Sequence, residues 1–329
     1  MLNVSYHNTS AQLPDDLSHV FGTLCFAPEI PHALTDFDTA MQVMMRVLDG
    51  KTHFFETLHT DTALKTQVEG DIRYRYNDVL LFGVITLDET RFANSVDSAP
   101  LQTASQSAYE QIFAVLESHD FPFVLRFWNY MADINGISHG LERYRQFNLG
   151  RQQAFSAKQR AFNVPAACAL GTNVGPLTIA FLTGRTPSLP IENPRQISAY
   201  DYPLQYGPRS PLFSRASVTS IADSTLLFLS GTASIVGHET LHADDVAAQT
   251  EESIANVEAV LNEACRKTGK QFELASLHYI VYVRHPADLP TIKAVLQHRV
   301  GPGFKAAYVQ ADICRSDLLV EIEGAAELS

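Results

Sequence analysis

Two glutamates near the end of the chain, Glu321 and Glu323, alternate with apolar residues in the run DLLVEIEG (317–324). On a strand, both carboxylates share one face, and Val320 and Ile322 share the other. A carboxyl in a partly buried site keeps its proton to higher pH and can act as a general acid. The other reading is a strand with a solvated acidic face. Two patches rich in arginine and tyrosine supply complementary chemistry. The first is RFWNY (126–130), continued by GLERYRQFNLGR (140–151). There Tyr144 and Arg151 are seven residues apart, two helical turns, and share a face, so that Arg143 and Arg145 point elsewhere. The second is YDYPLQYGPRSPLFSR (200–215), with Tyr202 and Arg215. Arginine grips carboxylates with a planar fork, and tyrosine adds a rigid hydrogen-bonding tip. Two such patches suit a substrate with two carboxylates and a ring. The plainer alternative is that the arginines pair with surface acids.

Other signals are weaker. His238-Glu239-Thr240-Leu241-His242 has the H-E-x-x-H spacing of zinc proteases, which requires a helix to bring both histidines to one face. Gly237 stops a strand just before it, and helical periodicity starts only after His242, so a polar turn is expected and no metal. Glycine-rich phosphate loops and the GxSxG elbow do not occur. The four cysteines (25, 168, 265 and 314) form no CxxC pair, which argues against a disulfide framework or a zinc ribbon and for a reducing cytoplasm. Cys314 stands beside Arg315, which could lower its pKa; otherwise it is a small buried residue on a core strand.

The elements that position these residues follow from periodicity. In the C-terminal half, strands are expected at 225–236, 277–283, 306–313 and 317–322, and helices at 244–264 and 288–298. Asp244 or Asp245 caps the first helix. In the N-terminal half, strands are expected at 79–87, 121–128 and 177–182, with helices at 103–118 and 137–160. Both halves run strand, helix, strand, helix, strand, an order that suggests an internal duplication of α/β (α+β) type. The proline-rich stretch at about 184–211 marks the boundary between them.

The chain has 329 residues, 24 Lys and Arg against 36 Asp and Glu, and a net charge of −12. That balance argues against nucleic-acid binding, which needs a basic face, and against a polybasic membrane anchor. No apolar run approaches the ~20 residues of a membrane span, and the N-terminus lacks the features of a signal peptide.

Residues 225–324 resemble the RidA/YjgF family in TLLFLSG (225–231), in Asp245-Val246-Ala247-Ala248-Gln249 with Ser253 and Asn256-Val257, and in the closing VEIE. In that family the first glutamate of the closing strand lies in the ligand cleft, which here is Glu321. The cleft arginine of that family falls on Tyr308, a departure from the imine-deaminase pattern. The whole chain resembles, more specifically, the chorismatase family. The resemblance rests on RFWNYMADIN (126–135), GLERYRQFNLGRQQAF (140–155), PAACALGT (165–172), NPRQISAYDYPLQYGPRSPLFSRA (193–216), GTASIVGHET (231–240) and ICRSDLLVEIEG (313–324). Within it, the chain is most similar to the bifunctional 3-/4-hydroxybenzoate synthases of pigment-making bacteria.

The resemblance implies two RidA/YjgF-like (chorismate-mutase-like) halves with mixed sheets covered by helices on one face. A degenerate half would span 1–190, and a half carrying the acid–base glutamate would span 191–329. It implies cleavage of chorismate to pyruvate and 3- and/or 4-hydroxybenzoate in the cytoplasm, for pigment or quinone biosynthesis, with no metal or organic cofactor. Glu321 would be the acid–base residue, with Glu323 as fallback. Tyr144, Arg151, Tyr202 and Arg215 would bind substrate, and Gly231, Ala233 and Cys314 would shape the ring pocket unless they only pack strands. A homotrimer or a pseudo-oligomeric monomer is implied. The competing readings are a hydrolase giving a dihydroxycyclohexadiene carboxylate, a RidA-like imine deaminase, and a non-catalytic small-molecule sensor.

Overall fold

The computed structural model describes residues 3–8, 16–29, 39–94, 98–157, 164–221 and 224–328. Three mixed sheets carry the architecture. The first comprises β1 (Asn3–Asn8), β2 (Val20–Ala27), β3 (Ala40–Met44) and β4 (Phe54–His59), in the order β1-β4-β2-β3. Sequence periodicity gave no sign of this sheet. Strand β2 is buried along its whole length, and a strand covered on both faces loses the alternation that announces it.

The second sheet begins with β5 (Lys65–Glu69), β6 (Ile72–Tyr76) and β7 (Leu80–Leu87). Helix α1 (Pro100–Ser118) leads to β8 (Phe123–Ala132). A short hairpin, β9 (Ile137–Ser138) and β10 (Leu141–Glu142), precedes α2 (Arg143–Ala157), and β11 (Ala166–Thr172) and β12 (Leu177–Gly184) close the sheet. The expected helix over 137–160 therefore starts six residues late, because His139 and Gly140 adopt positive φ and turn the chain. Strand β11 escaped the sequence reading because AACALGT is mostly small residues with weak strand preference.

The third sheet contains β13 (Leu189–Ile191), β14 (Ala216–Ile221) and β15 (Ser224–Thr232), followed by the hairpin of β16 (Ile235–Val236) and β17 (Glu239–Thr240). Then come α3 (Val246–Thr268), β18 (His278–Val283), α4 (Leu289–Val300), β19 (Lys305–Gln310) and β20 (Val320–Leu328). Asp245 caps α3 through the Ala248 amide, and Gly269 ends it in the left-handed conformation at φ 72°. Residues 311–313, expected in a strand, instead open a loop that runs to Leu319, because β19 stops at Gln310.

Read from the hairpin edge, the second sheet runs β5-β6-β7-β12-β8-β11 and the third β13-β14-β15-β20-β18-β19. The two orders correspond strand for strand. The pairs β8–β11 and β18–β19 are parallel, and each is joined through a helix, as parallel neighbours require. The duplication expected from the element order is thus present in the topology.

Helices cover the outer faces of the second and third sheets. Tyr109 and Phe113 of α1 meet Phe127 and Phe181, and Val257 and Leu261 of α3 meet Tyr279 and Ile322. The inner faces of all three sheets enclose one shared core. Phe21, Phe26 and Met41 come from the first sheet, Phe82, Trp128 and Leu182 from the second, and Phe228, Ile280 and Val309 from the third. No helix among the described residues is long and apolar enough to cross a membrane.

Candidate active site

Alternation along β20 sorts its side chains. Val320 and Ile322 join the core beneath the helices, while Glu321 and Glu323 turn to the opposite face. That face is not solvated: Glu321 is 4% exposed and Glu323 1%. Opposite Glu321, strand β15 is bulged between Leu229 and Thr232, which brings Gly231 against the carboxyl. A Cβ on Gly231 would lie 1.9 Å from Glu321 Oε1, so only glycine leaves room for the acid where it stands.

Glu321 lines a cavity of about 320 Å³, together with Tyr144, Tyr202, Arg215, Gly231, Ala233 and Cys314. Arg151 reaches a recess of about 40 Å³ that shares Tyr144, Phe213, Gly231, Cys314 and Glu321 with the larger space. Every residue that sequence reading singled out for the site, apart from the fallback Glu323, therefore borders one of two neighbouring spaces, with Glu321 common to both.

Three arginines that line these spaces have buried donors without partners. Arg151 lies 5.2–5.5 Å from the ring centroids of Tyr109, Phe127 and Phe155, and its buried Nε and Nη2 have no hydrogen-bond partner. Arg215 donates from Nη2 to the Tyr202 hydroxyl at 2.8 Å and to the Ile197 carbonyl at 3.0 Å, leaving Nε unpaired. Arg315 stacks 4.0 Å from the Tyr206 ring centroid and donates from Nη1 to the His238 carbonyl at 2.9 Å, while Nη2 has no partner. Buried unpaired N–H groups are costly unless a ligand completes them, and guanidinium groups suit carboxylates.

Sequence reasoning did not assign Arg315 to substrate. Its aim depends on the loop between β19 and β20, which Arg284 holds by donating to the carbonyls of Leu318, Ile313 and Arg315 at 2.7, 3.1 and 2.9 Å. Gln249 of α3 ties the same loop through the Asp317 carbonyl and the Leu319 amide, both at 2.8 Å. No spacing rule encodes such a scaffold. Arg145 also lines the cavity, contrary to expectation, held by Glu142 at 3.0 Å, whereas Arg143 turns away to Glu89 at 2.6 Å. Tyr308 sits outside the cavity on the helix-facing side of β19, with Lys293 4.8 Å from its ring centroid.

The electrostatics single out Glu321. Burial first, and then the like charge of Glu323, push its carboxyl up to about 8, against the opposing pull of Arg126, Arg215 and Arg284. Glu323 does not line the cavity; it pairs with Arg126 at 2.6 Å and accepts from the Tyr282 hydroxyl at 2.8 Å. Cys314 lies on the loop rather than on a core strand. Burial pushes its thiol up to about 12 despite the neighbouring Arg315, so it is a neutral lining group.

His238 lies in the tight turn between β16 and β17, Glu239 and Thr240 form β17, and His242 follows at φ 59°. The helix that a zinc-protease pair requires is absent there. No group of three or more His, Cys, Asp or Glu among the described residues is placed to hold a metal.

Comparison with known proteins agrees with this geometry. Residues 56–183 match a family model described as chorismatase FkbO/Hyg5-like, N-terminal. The chain is 36% identical over 279 residues to a chorismatase of Streptomyces hygroscopicus, covering 82% of this chain and 78% of the relative. The chain belongs to the chorismatase family. A second relative within the matches, the 3-hydroxybenzoate synthase of Streptomyces hygroscopicus, is 39% identical over 232 residues, 67% of this chain and 68% of its own. The crystal structure of a chorismatase superposes with a TM-score of 0.88 at 30% identity, covering 99% of this chain and 98% of the other. The mixed α/β architecture is thus the chorismatase fold.

Proposed function

We propose that the protein cleaves chorismate, releasing pyruvate, with Glu321 as the general acid. One observation carries this reading. A buried carboxyl that keeps its proton near neutral pH lines a cavity together with Arg215 and Arg315, beside a recess lined by Arg151, and each of these three arginines has a buried donor without a partner. Chorismate carries a ring carboxylate and a second carboxylate on its enolpyruvyl ether, so it satisfies those donors at two ends. The acid is then left facing the ether between them.

Glu321 donates its proton to the methylene carbon of the enol ether, leaving an oxocarbenium centre on the side chain. Departure of the side chain as pyruvate breaks the bond at ring C3. Attack of the C4 hydroxyl oxygen on C3 gives an arene oxide that opens to 3-hydroxybenzoate. Loss of the C4 hydrogen as the side chain leaves gives 4-hydroxybenzoate instead. In both routes the ring gives up one proton, which restores Glu321. Addition of water to the oxocarbenium centre yields the dihydroxycyclohexadiene carboxylate and pyruvate. Tyr144, Arg151, Tyr202 and Arg215 bind and orient the substrate; positioning and preorganised charge supply much of the rate in such sites. Gly231, Ala233 and Cys314 bound the space beside the acid and set the room for the ring. The product pair proposed is 3- and 4-hydroxybenzoate, formed without metal or organic cofactor.

The halves 1–190 and 191–329 are proposed as the units of the duplication, and the working form as a single chain. A core closed by three sheets of one chain supports this pseudo-oligomeric form over a homotrimer. Purified protein incubated with chorismate, with products separated and detected by mass, tests the activity. Pyruvate with both hydroxybenzoates is expected. The diol alone would assign a hydrolase, and unchanged chorismate with folded protein would reject the reading.

A further inference from the structure

Beside the acid, among residues that do not line the cavity, lies a buried polar group that the chemistry above does not use. Glu323 follows Glu321 by two residues on the same strand face. Its Oε2 accepts from Arg126 Nη2 at 2.6 Å and its Oε1 from the Tyr282 hydroxyl at 2.8 Å. Tyr282 in turn shares a 2.8 Å hydrogen bond with Tyr130. Arg126 also donates to the Leu229 carbonyl, and its guanidinium carbon lies 5.0 Å from the Trp128 ring centroid. The side chains of Arg126 and Glu323 are each 2% exposed. Burying an ion pair is expensive, and apolar residues of similar size would often serve stability as well. A charge pair kept here, one strand repeat from the acid, has another use.

We propose that the Glu323–Arg126 pair is a positioning element for Glu321: the fixed negative charge of Glu323 keeps the proton on the neighbouring acid, and Arg126 holds that charge in place. The pair touches neither the cavity nor the substrate and acts only through Glu321. The other groups that act on the acid come from several elements. Arg215 enters from the segment before β14, Arg284 from the end of β18, Cys314 from the loop before β20, Cys168 from β11 and Tyr144 from α2. The three arginines, counting Arg126, favour ionised Glu321, and Glu323 opposes them. Without Glu323, burial alone has to keep the acid protonated against three cations. Glu56 of the first sheet reports the same field. It is buried, and its carboxyl is pushed up to about 8 by burial and then by Glu323, with Arg126 opposing.

The inference rests on Glu321 as the acid, so the test reads its proton directly. Infrared pH titration of the full-length protein, isotopically labelled in its glutamate carboxyls and free of substrate, follows the protonated carbonyl bands. Glu321→Gln and Glu56→Gln identify the two bands. In Glu323→Gln the Glu321 titration should move to lower pH by about one unit or more, and the alkaline limb of kcat/KM should move with it. Glu323→Asp, which keeps a carboxylate on the same strand position, should leave both close to wild type. A shift in Glu323→Gln that is absent in Glu323→Asp is not expected of a merely structural hydrogen-bonding group. The wild-type spectra give a second reading that needs no glutamine variant to fold: Glu323, identified by its band in Glu323→Asp, should be ionised at pH values where Glu321 is protonated. A Glu321 titration unmoved in folded Glu323→Gln, or a protonated Glu323 at those pH values, would overturn the proposal. Titrations that move as predicted while Glu321→Gln retains turnover would uphold the coupling and reject the acid role.

Discussion

Glu321 can donate a proton only while it holds one, and the charges around it decide how long that lasts. Its carboxyl is pushed up to about 8, so it is protonated below that pH and ionised above it. A general acid is lost as it ionises, so kcat/KM for chorismate should fall as pH rises through about 8; a flat profile to pH 10 would remove Glu321 from the role. The arginines act differently, since they bind rather than transfer. Arg151→Met and Arg215→Met each delete charge-assisted hydrogen bonds worth about 1.5–3 kcal/mol, and should lower kcat/KM roughly 10–100-fold. Steady-state kinetics on folded variants checks this. The shared face of Tyr144 and Arg151 was legible from their two-turn spacing on a helix, while their place in the site came from the family resemblance, and the same spacing misplaced Arg145. Arg315 was not legible, because its aim depends on the Arg284 and Gln249 contacts that hold its loop.

At the scale of elements, the bulge in β15 and the turn of β20 set the distance between Gly231 and the acid. Gly231→Ala would place a methyl 1.9 Å from Glu321 Oε1, and the carboxyl would have to swing away. A misplacement of about 1 Å can cost on the order of 100-fold in rate. The variant should therefore fold, as judged by circular dichroism, yet lose about that much in kcat; unchanged kcat would mean that the acid works from another position. Periodicity located the four helices and the strands β7, β8, β12, β15, β18, β19 and β20, but not the outer strands β5, β6, β13 and β14 or the short hairpins. It failed at β2, buried on both faces, at β11, built of small residues, and at the start of α2, where residues with positive φ turn the chain into a hairpin.

At the scale of the whole molecule, each half packs its sheet against its helices, but the core on the inner faces is built from all three sheets. The inner face of the third sheet offers Leu226, Phe228, Ile280, Tyr282 and Val309 to the other two sheets. Full burial of one such side chain is worth about 1.5–3 kcal/mol, so losing the cover of all five forfeits an amount comparable to a domain's entire stability of about 5–15 kcal/mol. Residues 191–329 expressed alone should aggregate or self-associate and lack a native near-ultraviolet spectrum. A well-folded monomer in light scattering would contradict the shared core. Glu56 adds a pH dependence to the same interior. Its carboxyl rises from an ordinary 4.5 to about 8 on folding, so its stabilising share is present at low pH and lost as pH rises through that window. Thermal melts should show Tm falling from pH 5 to 9, and falling less steeply in Glu56→Gln. The duplication could be anticipated from element order, but the first sheet, which completes the core, could not, because the first 60 residues carry no clear period.

The most direct test compares wild type and Glu321→Gln under single turnover of chorismate, with pyruvate and hydroxybenzoates measured together by mass detection. Glutamine keeps the shape of the side chain and removes its acidic proton. General acid catalysis contributes about 10²–10⁴ in rate, so the variant should bind chorismate and release both products slower by at least that factor. A folded Glu321→Gln protein that turns over chorismate at close to the wild-type rate would contradict the account at its centre.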